Sequence, residues 1–429
     1  MKKNINTVVV LGASGTVGSL VGGLLAQNNL DVWFLSRTLK GSQEGLEKAQ
    51  KQARSEAICK RVTCADYESM MDEACTKADW IIECVIEDIS IKKSLYEKID
   101  ACRKKDCVVS TVTSSLPLEE LPVGRSNSFK EHFLSTHFYN PPGKMSACEV
   151  CGQTETNPAV IDFMVDFLEK RLRRTVIHVK PTAGFAGNRI AFLLFARITK
   201  LAVEHGVEMM DYLIGPYTGR IMAPLATLDL VGLDIHRAII HSLQANTSDA
   251  MHEKLVLPDY VEKMIEMGHL GRKACGKGGF YNRLENGKYV YIDPKTLKYI
   301  SAFEPRVQFV ECTKNFIHLG RYNRAFETIL QAEGSEAEIV REILATYIAY
   351  SYMLVGQVTD EKYGIEGIDH VMTTGFNWAG PSLIVYMLGG KEKAIQLLES
   401  QKLQVPQFLR HDTVCEKYLF NAGKYFPAR

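Results

Sequence analysis

The first apolar run, 7–11, is short and β-branched and closes on a glycine, which predicts a buried strand. A helix-spaced stretch at 19–27 follows, and a second apolar run at 31–35 predicts a neighbouring strand. The stretch 40–61 is rich in charge and alanine and predicts a helix. Its cations Lys48, Lys51, Arg54, Lys60 and Arg61 alternate with acids and read as a solvated face. Strands are predicted at 80–85 and 107–111, with a helix at 91–102 between them. After Asn188 the period changes. Helical patterns dominate, and 191–205 places Leu, Phe, Ile and Val at core spacing. The exceptions are 278–300, a small hairpin around a turn at 285–288, and 303–320, a connector.

The helical half repeats itself. Gly206-Val207-Glu208-Met209-Met210-Asp211 precedes Ala223-Pro224, and Gly364-Ile365-Glu366-Gly367-Ile368-Asp369 precedes Gly380-Pro381. Each then enters a helical pattern ending in glycine. The two aspartates are 158 residues apart and the two prolines 157, which predicts a duplicated helical domain. Four segments follow: an α/β domain at 1–183, a first helical domain at 184–284, a hairpin and connector at 285–334, and a second helical domain at 335–429.

Composition narrows the classes. The profile is 46% hydrophobic and 24% charged, that of a globular chain, and 429 residues allow two to four domains. A net charge of +1 gives no reason to expect nucleic acid. No apolar run is long enough for a membrane span. The basic start at 1–6 before an apolar run resembles a signal peptide, but the run stops at Gly12 with no small-residue cleavage site. Eleven scattered cysteines, an odd number, point to a reducing cytoplasm. Cys148 and Cys151 have metal-ligand spacing but stand alone in an extended stretch, so they read as core residues and no metal is expected.

Gly12-Ala13-Ser14-Gly15-Thr16-Val17-Gly18 sits between the first strand and its helix. A strand, a glycine turn, a helix and a second strand form the dinucleotide-binding unit of a Rossmann-type fold. Glycines let the backbone approach a pyrophosphate, and the helix N-terminus offers it free N–H groups. Gly12, Ser14, Gly15, Thr16, Val17 and Gly18 are therefore candidate cofactor contacts. The spacing is G-x-x-G-x-x-G rather than G-x-G-x-x-G. The second strand ends in Ser36-Arg37-Thr38, without the acid that accepts from an NAD ribose. Arg37 suits a 2′-phosphate, so NADP(H) is favoured and NAD(H) is allowed.

The chemistry centres on His137 and Glu149, twelve residues apart across Asn140-Pro141-Pro142-Gly143. That break lets the chain reverse, so the two can face one another. A carboxylate on one imidazole nitrogen leaves the other as a base. Thr113-Ser114-Ser115 lies at the carboxyl end of a predicted strand, where open α/β sheets bind ligands.

These stretches resemble the L-3-hydroxyacyl-CoA dehydrogenases: Thr113-Ser114-Ser115-Leu116, the segment 137–149, Gly184-Phe185-Ala186-Gly187-Asn188-Arg189, Leu228-Asp229-Leu230-Val231-Gly232-Leu233-Asp234 and Gly276-Lys277-Gly278-Gly279-Phe280-Tyr281. The likeness is greatest to the dehydrogenase portion of long bacterial fatty-acid-degradation enzymes that also carry a hydratase domain; no hydratase is expected here. The resemblance implies an α/β Rossmann-type domain with a mostly parallel sheet. All-α C-terminal domains would follow, as tandem repeats like those of 6-phosphogluconate dehydrogenase. It implies an NAD(P)-dependent oxidoreductase interconverting 3-hydroxyacyl-CoA and 3-oxoacyl-CoA. His137 is then the general acid/base, Glu149 its orienting partner, Ser114 and Asn188 hydrogen-bond partners of the reacting oxygen, and Glu87 and Lys92 neighbours of the nicotinamide. Two alternatives stand: a dehydrogenase of a sugar acid or carnitine-like 3-hydroxy acid without coenzyme A, because the segment after strand two is shorter than the family's coenzyme A arm, and an idle nucleotide sensor. Single-copy members commonly form dimers through the helical domain, so duplication allows this chain to be monomeric, with a homodimer left open. His236, His241, His318 and His370 read as structural or exposed.

Overall fold

Thr7–Leu11 becomes β1, the first strand of a sheet in a computed structural model that describes residues 4–274, 276–284, 287–411 and 422–427. Two of the four turn positions predicted for the hairpin, Glu285 and Asn286, lie outside those residues. The chain divides into two units: Met1–Phe185 with Thr374–Phe376, and Ala186–Thr373 with Asn377–Arg429.

The first unit is built on eight strands: β1, β2 (Asp31–Ser36), β3 (Val62–Asp66), β4 (Trp80–Glu83), β5 (Val108–Thr111), β6 (Phe133–Phe138), β7 (Ala147–Gly152) and β8 (Thr175–His178). Their order is β3-β2-β1-β4-β5-β6-β7-β8, and only β6–β7 is antiparallel. The helices are α1 (Thr16–Gln27), α2 (Leu39–Ala53), α3 (Tyr67–Lys77), α4 (Ile89–Cys102), α5 (Asn127–Glu131) and α6 (Pro158–Lys170). Val8, Val10, Phe34, Trp80, Ile82 and Val108 join Val21 and Leu25 of α1 and Met164 and Leu168 of α6 in one core. Parallel strands covered on both faces explain the unbroken apolar runs.

Two expectations are revised. The helix expected over 40–61 stops at Ala53, where Arg54 takes a left-handed conformation. A short 3₁₀ turn and β3 follow. As an outer strand with one residue of its five fully buried, β3 carries little hydrophobic signal. The expected connector at 303–320 contains a helix, Gln308–His318, which buries Val310, Thr313 and Ile317 at helical spacing.

The second unit is helical: α7 (Gly187–His205), α8 (Val207–Leu213), α9 (Pro224–Val231), α10 (Leu233–Asn246), α11 (Asp259–Glu266), α12 (Gln308–His318), α13 (Tyr322–Gln331), α14 (Ser335–Leu354), α15 (Glu366–Gly375), α16 (Pro381–Met387) and α17 (Lys391–Ser400). A small antiparallel sheet at Tyr281–Arg283, Tyr289–Ile292 and Tyr299–Ser301 stands where a hairpin was expected. The long buried helices α7 and α14 are joined by a two-bond Arg197–Glu342 fork at 2.5 and 2.9 Å. Asp211 caps α9 through the N–H groups of Leu225 and Ala226, at 2.7 and 2.9 Å. Asp369 does the same for α16 through the N–H of Ser382 at 3.0 Å and its hydroxyl. Burial pushes the Asp211 carboxyl up to about 7, against those N–H groups and the Tyr281 hydroxyl. Arg220 and Trp378, themselves 158 residues apart, meet in an antiparallel bridge. The Arg220 guanidinium lies 4.6 Å from the Trp378 ring centre. His236 is fully buried beside Phe192, and burial lowers it to about 3, so it stays neutral. His241 and His318 are exposed and His370 is half-buried. No described helix is long and apolar enough to cross a membrane.

Candidate active site

The glycine turn between β1 and α1 is shaped for close approach. Gly12 has φ +82°, and a Cβ there would stand 2.5 Å from the Cys84 carbonyl oxygen. A Cβ on Gly18 would meet the Gly12 carbonyl oxygen at 2.7 Å. The Gly15 N–H closes the turn onto that same carbonyl at 3.0 Å. No side chain caps α1, so its first N–H groups have no such partner, and Gly15 and Thr16 are exposed. Val17 is half-buried and Gly18 buried in the same first turn. Lys48, expected on a solvated face, donates to the Ser14 carbonyl at 2.8 Å and steadies the turn. A cradle that any Cβ would fill, beside an open helix N-terminus, fits a dinucleotide pyrophosphate.

At the far end of β2, Ser36 is buried and Arg37 exposed. Ser36 donates to the Thr38 carbonyl at 2.7 Å. Asp66 stands in register with Ser36 on β3. Its carboxylate is held below the usual range by the N–H and hydroxyl of Ser69, which it accepts while capping α3.

A buried polar cluster sits where β4 and β5 end. Glu83 is wholly buried and accepts from Lys92 at 2.7 Å, Tyr96 at 2.6 Å, Thr111 at 2.8 Å and the Val85 N–H at 2.7 Å. Burial first, and Glu83 second, hold the Tyr96 hydroxyl far above its ordinary range, so it remains a donor. Lys92 has no exposed side-chain surface. Glu87, 3.6 Å away, has a side chain 46% exposed.

His137 and Glu149 are paired directly across the antiparallel β6–β7 ladder. The Asn-Pro-Pro-Gly stretch makes the reversal between the strands, with the N–H groups of Lys144 and Met145 folding back on the Pro141 carbonyl at 2.9 and 3.0 Å. His137 Nδ1 lies 2.8 Å from Glu149 Oε2. The glutamate is fully buried and the histidine side chain 13% exposed. Tyr139 donates to the same Oε2 at 2.8 Å. Phe185 packs 5.8 Å from the imidazole. With Nδ1 engaged, Nε2 is the nitrogen available for proton exchange.

Ser114 lies just past the end of β5, the parallel neighbour of β6, and its carbonyl accepts from the Gly184 N–H at 2.6 Å. The first unit thus brings Ser114 to the same strand ends as His137 and Glu149. Asn188 belongs to the second unit, buried in the first turn of α7. Cys148 and Cys151 are buried in β7, and burial raises both thiols far above their ordinary range. Glu83 and Tyr139 escaped the reading of the sequence. Each had a signal: an acid inside the apolar run at 80–85, and a tyrosine two residues from the histidine on one strand face.

Residues 7–182 match the family described as "3-hydroxyacyl-CoA dehydrogenase, NAD binding domain", and residues 184–283 its "C-terminal domain". A "Probable 3-hydroxyacyl-CoA dehydrogenase" of Bacillus subtilis is 30% identical over 440 residues, covering 96% of this chain and 54% of that protein. A "Putative fatty acid oxidation complex trifunctional enzyme" of Rickettsia felis is 29% identical over 448 residues, covering 99% of this chain and 59% of that one. The chain thus spans little more than half the length of these relatives. The crystal structure of 3-hydroxybutyryl-CoA dehydrogenase from Escherichia coli K12 shares the fold, with a TM-score of 0.66, 17% identity and 99% of each chain covered.

Proposed function

Because the chain belongs to the 3-hydroxyacyl-CoA dehydrogenase family, we propose that it interconverts a 3-hydroxyacyl-CoA and its 3-oxoacyl-CoA, with His137 as the acid/base. The observation that carries this reading is the buried Glu149 carboxylate set in register on His137 Nδ1 at 2.8 Å. It fixes the tautomer so that Nε2 takes the hydroxyl proton in oxidation and returns it in reduction. Ser114 and Asn188 are read as hydrogen-bond partners of the reacting oxygen, where charge develops. A bound nicotinamide supplies the hydride acceptor or donor. Gly12, Ser14, Gly15, Thr16, Val17 and Gly18 would hold its pyrophosphate, Ser36 and Arg37 its adenosine end, and Glu87 and Lys92 would lie towards the nicotinamide. The nine described cysteines are free thiols, which suits a cytoplasmic setting.

The reading of the cofactor as NADP(H) rests on exposed Arg37 and on Asp66, whose carboxylate is committed to Ser69. The test is reduction of acetoacetyl-CoA and longer 3-oxoacyl-CoAs with NADPH and NADH in parallel, for the native chain and Arg37→Ala. We expect turnover on the acyl-CoAs and, in the variant, NADPH binding weaker by about 10-fold or more with NADH little changed. Absence of turnover with either cofactor would remove the activity. A native preference for NADH would remove the phosphate clamp.

Segments 184–284 and 335–429 are further read as two copies of one helical domain, joined through 285–334. Asp211 and Asp369 cap corresponding helices, and Arg220 bridges Trp378 at the same 158-residue offset. A contact between matching parts of the two segments is the kind an isologous dimer makes. The second copy then takes the seat of a partner subunit, and the chain is monomeric. Gel filtration with light scattering should give 48.1 kDa; a tight homodimer would refute it.

A further inference from the structure

Tyr139 follows His137 by two residues, so the strand period puts both side chains on one face, opposite Glu149. Glu149 Oε2 therefore receives two donors at 2.8 Å, one imidazole and one phenol. The tyrosine is buried and confined on two sides. Its ring meets the imidazole edge-on at 5.0 Å and Phe376 edge-on at 5.4 Å. Gly375 lies so close that a Cβ there would stand 3.0 Å from the tyrosine ring. Gly375 and Phe376 come from the loop around the end of α15 but belong to the first unit.

We propose that Tyr139 is a positioning residue that acts through Glu149, a role that rests on the dehydrogenase reading for its catalytic meaning but not for its test. Its hydroxyl holds Oε2 in line with Nδ1 and shares the negative charge of that oxygen. The carboxylate consequently pulls less on the imidazolium than it would without the phenol. Phe376 and Gly375 keep the ring from swinging off that bond. Other titratable or charged side chains on the surrounding segments include Cys148 and Cys151 of β7, His178 of β8, Glu119 near Cys151, and Arg174, whose guanidinium donates to the Pro142 and Met145 carbonyls of the reversal and lies near Cys148. The two thiols stay neutral through burial and add no charge beside the pair.

Tyr139→Phe keeps the ring and removes one O–H. The experiment follows the ¹⁵N imidazole resonances of the full chain against pH, with the His137 signal assigned by its loss in His137→Gln. Alongside it, turnover in the oxidation direction is measured against pH. The His137 midpoint is expected to move up by about half to one pH unit, the equivalent of one modest hydrogen bond. The acid limb of turnover should move with it, and the KM for cofactor should stay unchanged. A midpoint that does not move overturns the proposal, whatever the activity. A midpoint that moves in a chain without dehydrogenase turnover supports the positioning role and removes the family's activity instead.

Discussion

Replacing His137 by Ala is expected to lower turnover by about 10²–10⁴-fold, the range a positioned general base supplies. That loss corresponds to about 3–5 kcal/mol of barrier. The geometry confines the effect to proton transfer. Glu149 is fully buried and still accepts from the Tyr139 hydroxyl at 2.8 Å once the imidazole is gone, so it stays behind the site rather than taking the place of Nε2. The dinucleotide cradle is built from β1, α1 and Gly12, on other strands of the sheet, so NADPH titration by fluorescence should give a Kd within about twofold of the native chain. Near-normal turnover sinks the acid/base assignment. Lost cofactor binding with lost turnover would mean that the substitution damages the fold rather than the chemistry.

How much of this was legible in the chain follows from what kind of signal each part leaves. The β1–turn–α1–β2 unit declares itself because a buried parallel strand, a glycine that needs positive φ and an amphipathic helix are all local. The His137–Glu149 pair was readable for a related reason: a proline-glycine reversal places two nearby segments side by side. The outer strand β3 was not, since one buried residue among Val62–Asp66 leaves no period to detect. Lys48 is exposed, as read, but nothing local says that its ammonium reaches the Ser14 carbonyl 34 residues away. Glu83 is the plainest case. Its four partners lie from 2 to 28 residues away, and only the register of β4 on β5 assembles them. Tyr139 lies between these cases. Its face was predictable, but its contact with Phe376 spans most of the chain.

That buried cluster sets the second large effect. Lys92→Met should destabilise the first unit by about 3 kcal/mol or more, the cost of leaving one member of a buried ion pair uncompensated. Methionine matches the length of the stem, so the loss is of charge rather than of volume. Glu83 keeps Tyr96, Thr111 and the Val85 N–H as donors, which places the cost at the lower end of the range for such pairs. Adding Glu83→Gln removes the stranded charge while keeping an acceptor for those donors. The double variant should therefore recover to within about 1 kcal/mol of the native chain. Urea unfolding followed on the first unit's transition measures all three proteins. This separates two roles for Lys92. If its ammonium serves Glu83, stability falls in the single variant and returns in the double variant, with cofactor affinity following the fold. A single variant that stays within about 1 kcal/mol of native stability yet loses cofactor would instead place the ammonium's work at the nicotinamide, with Glu83 as its holder.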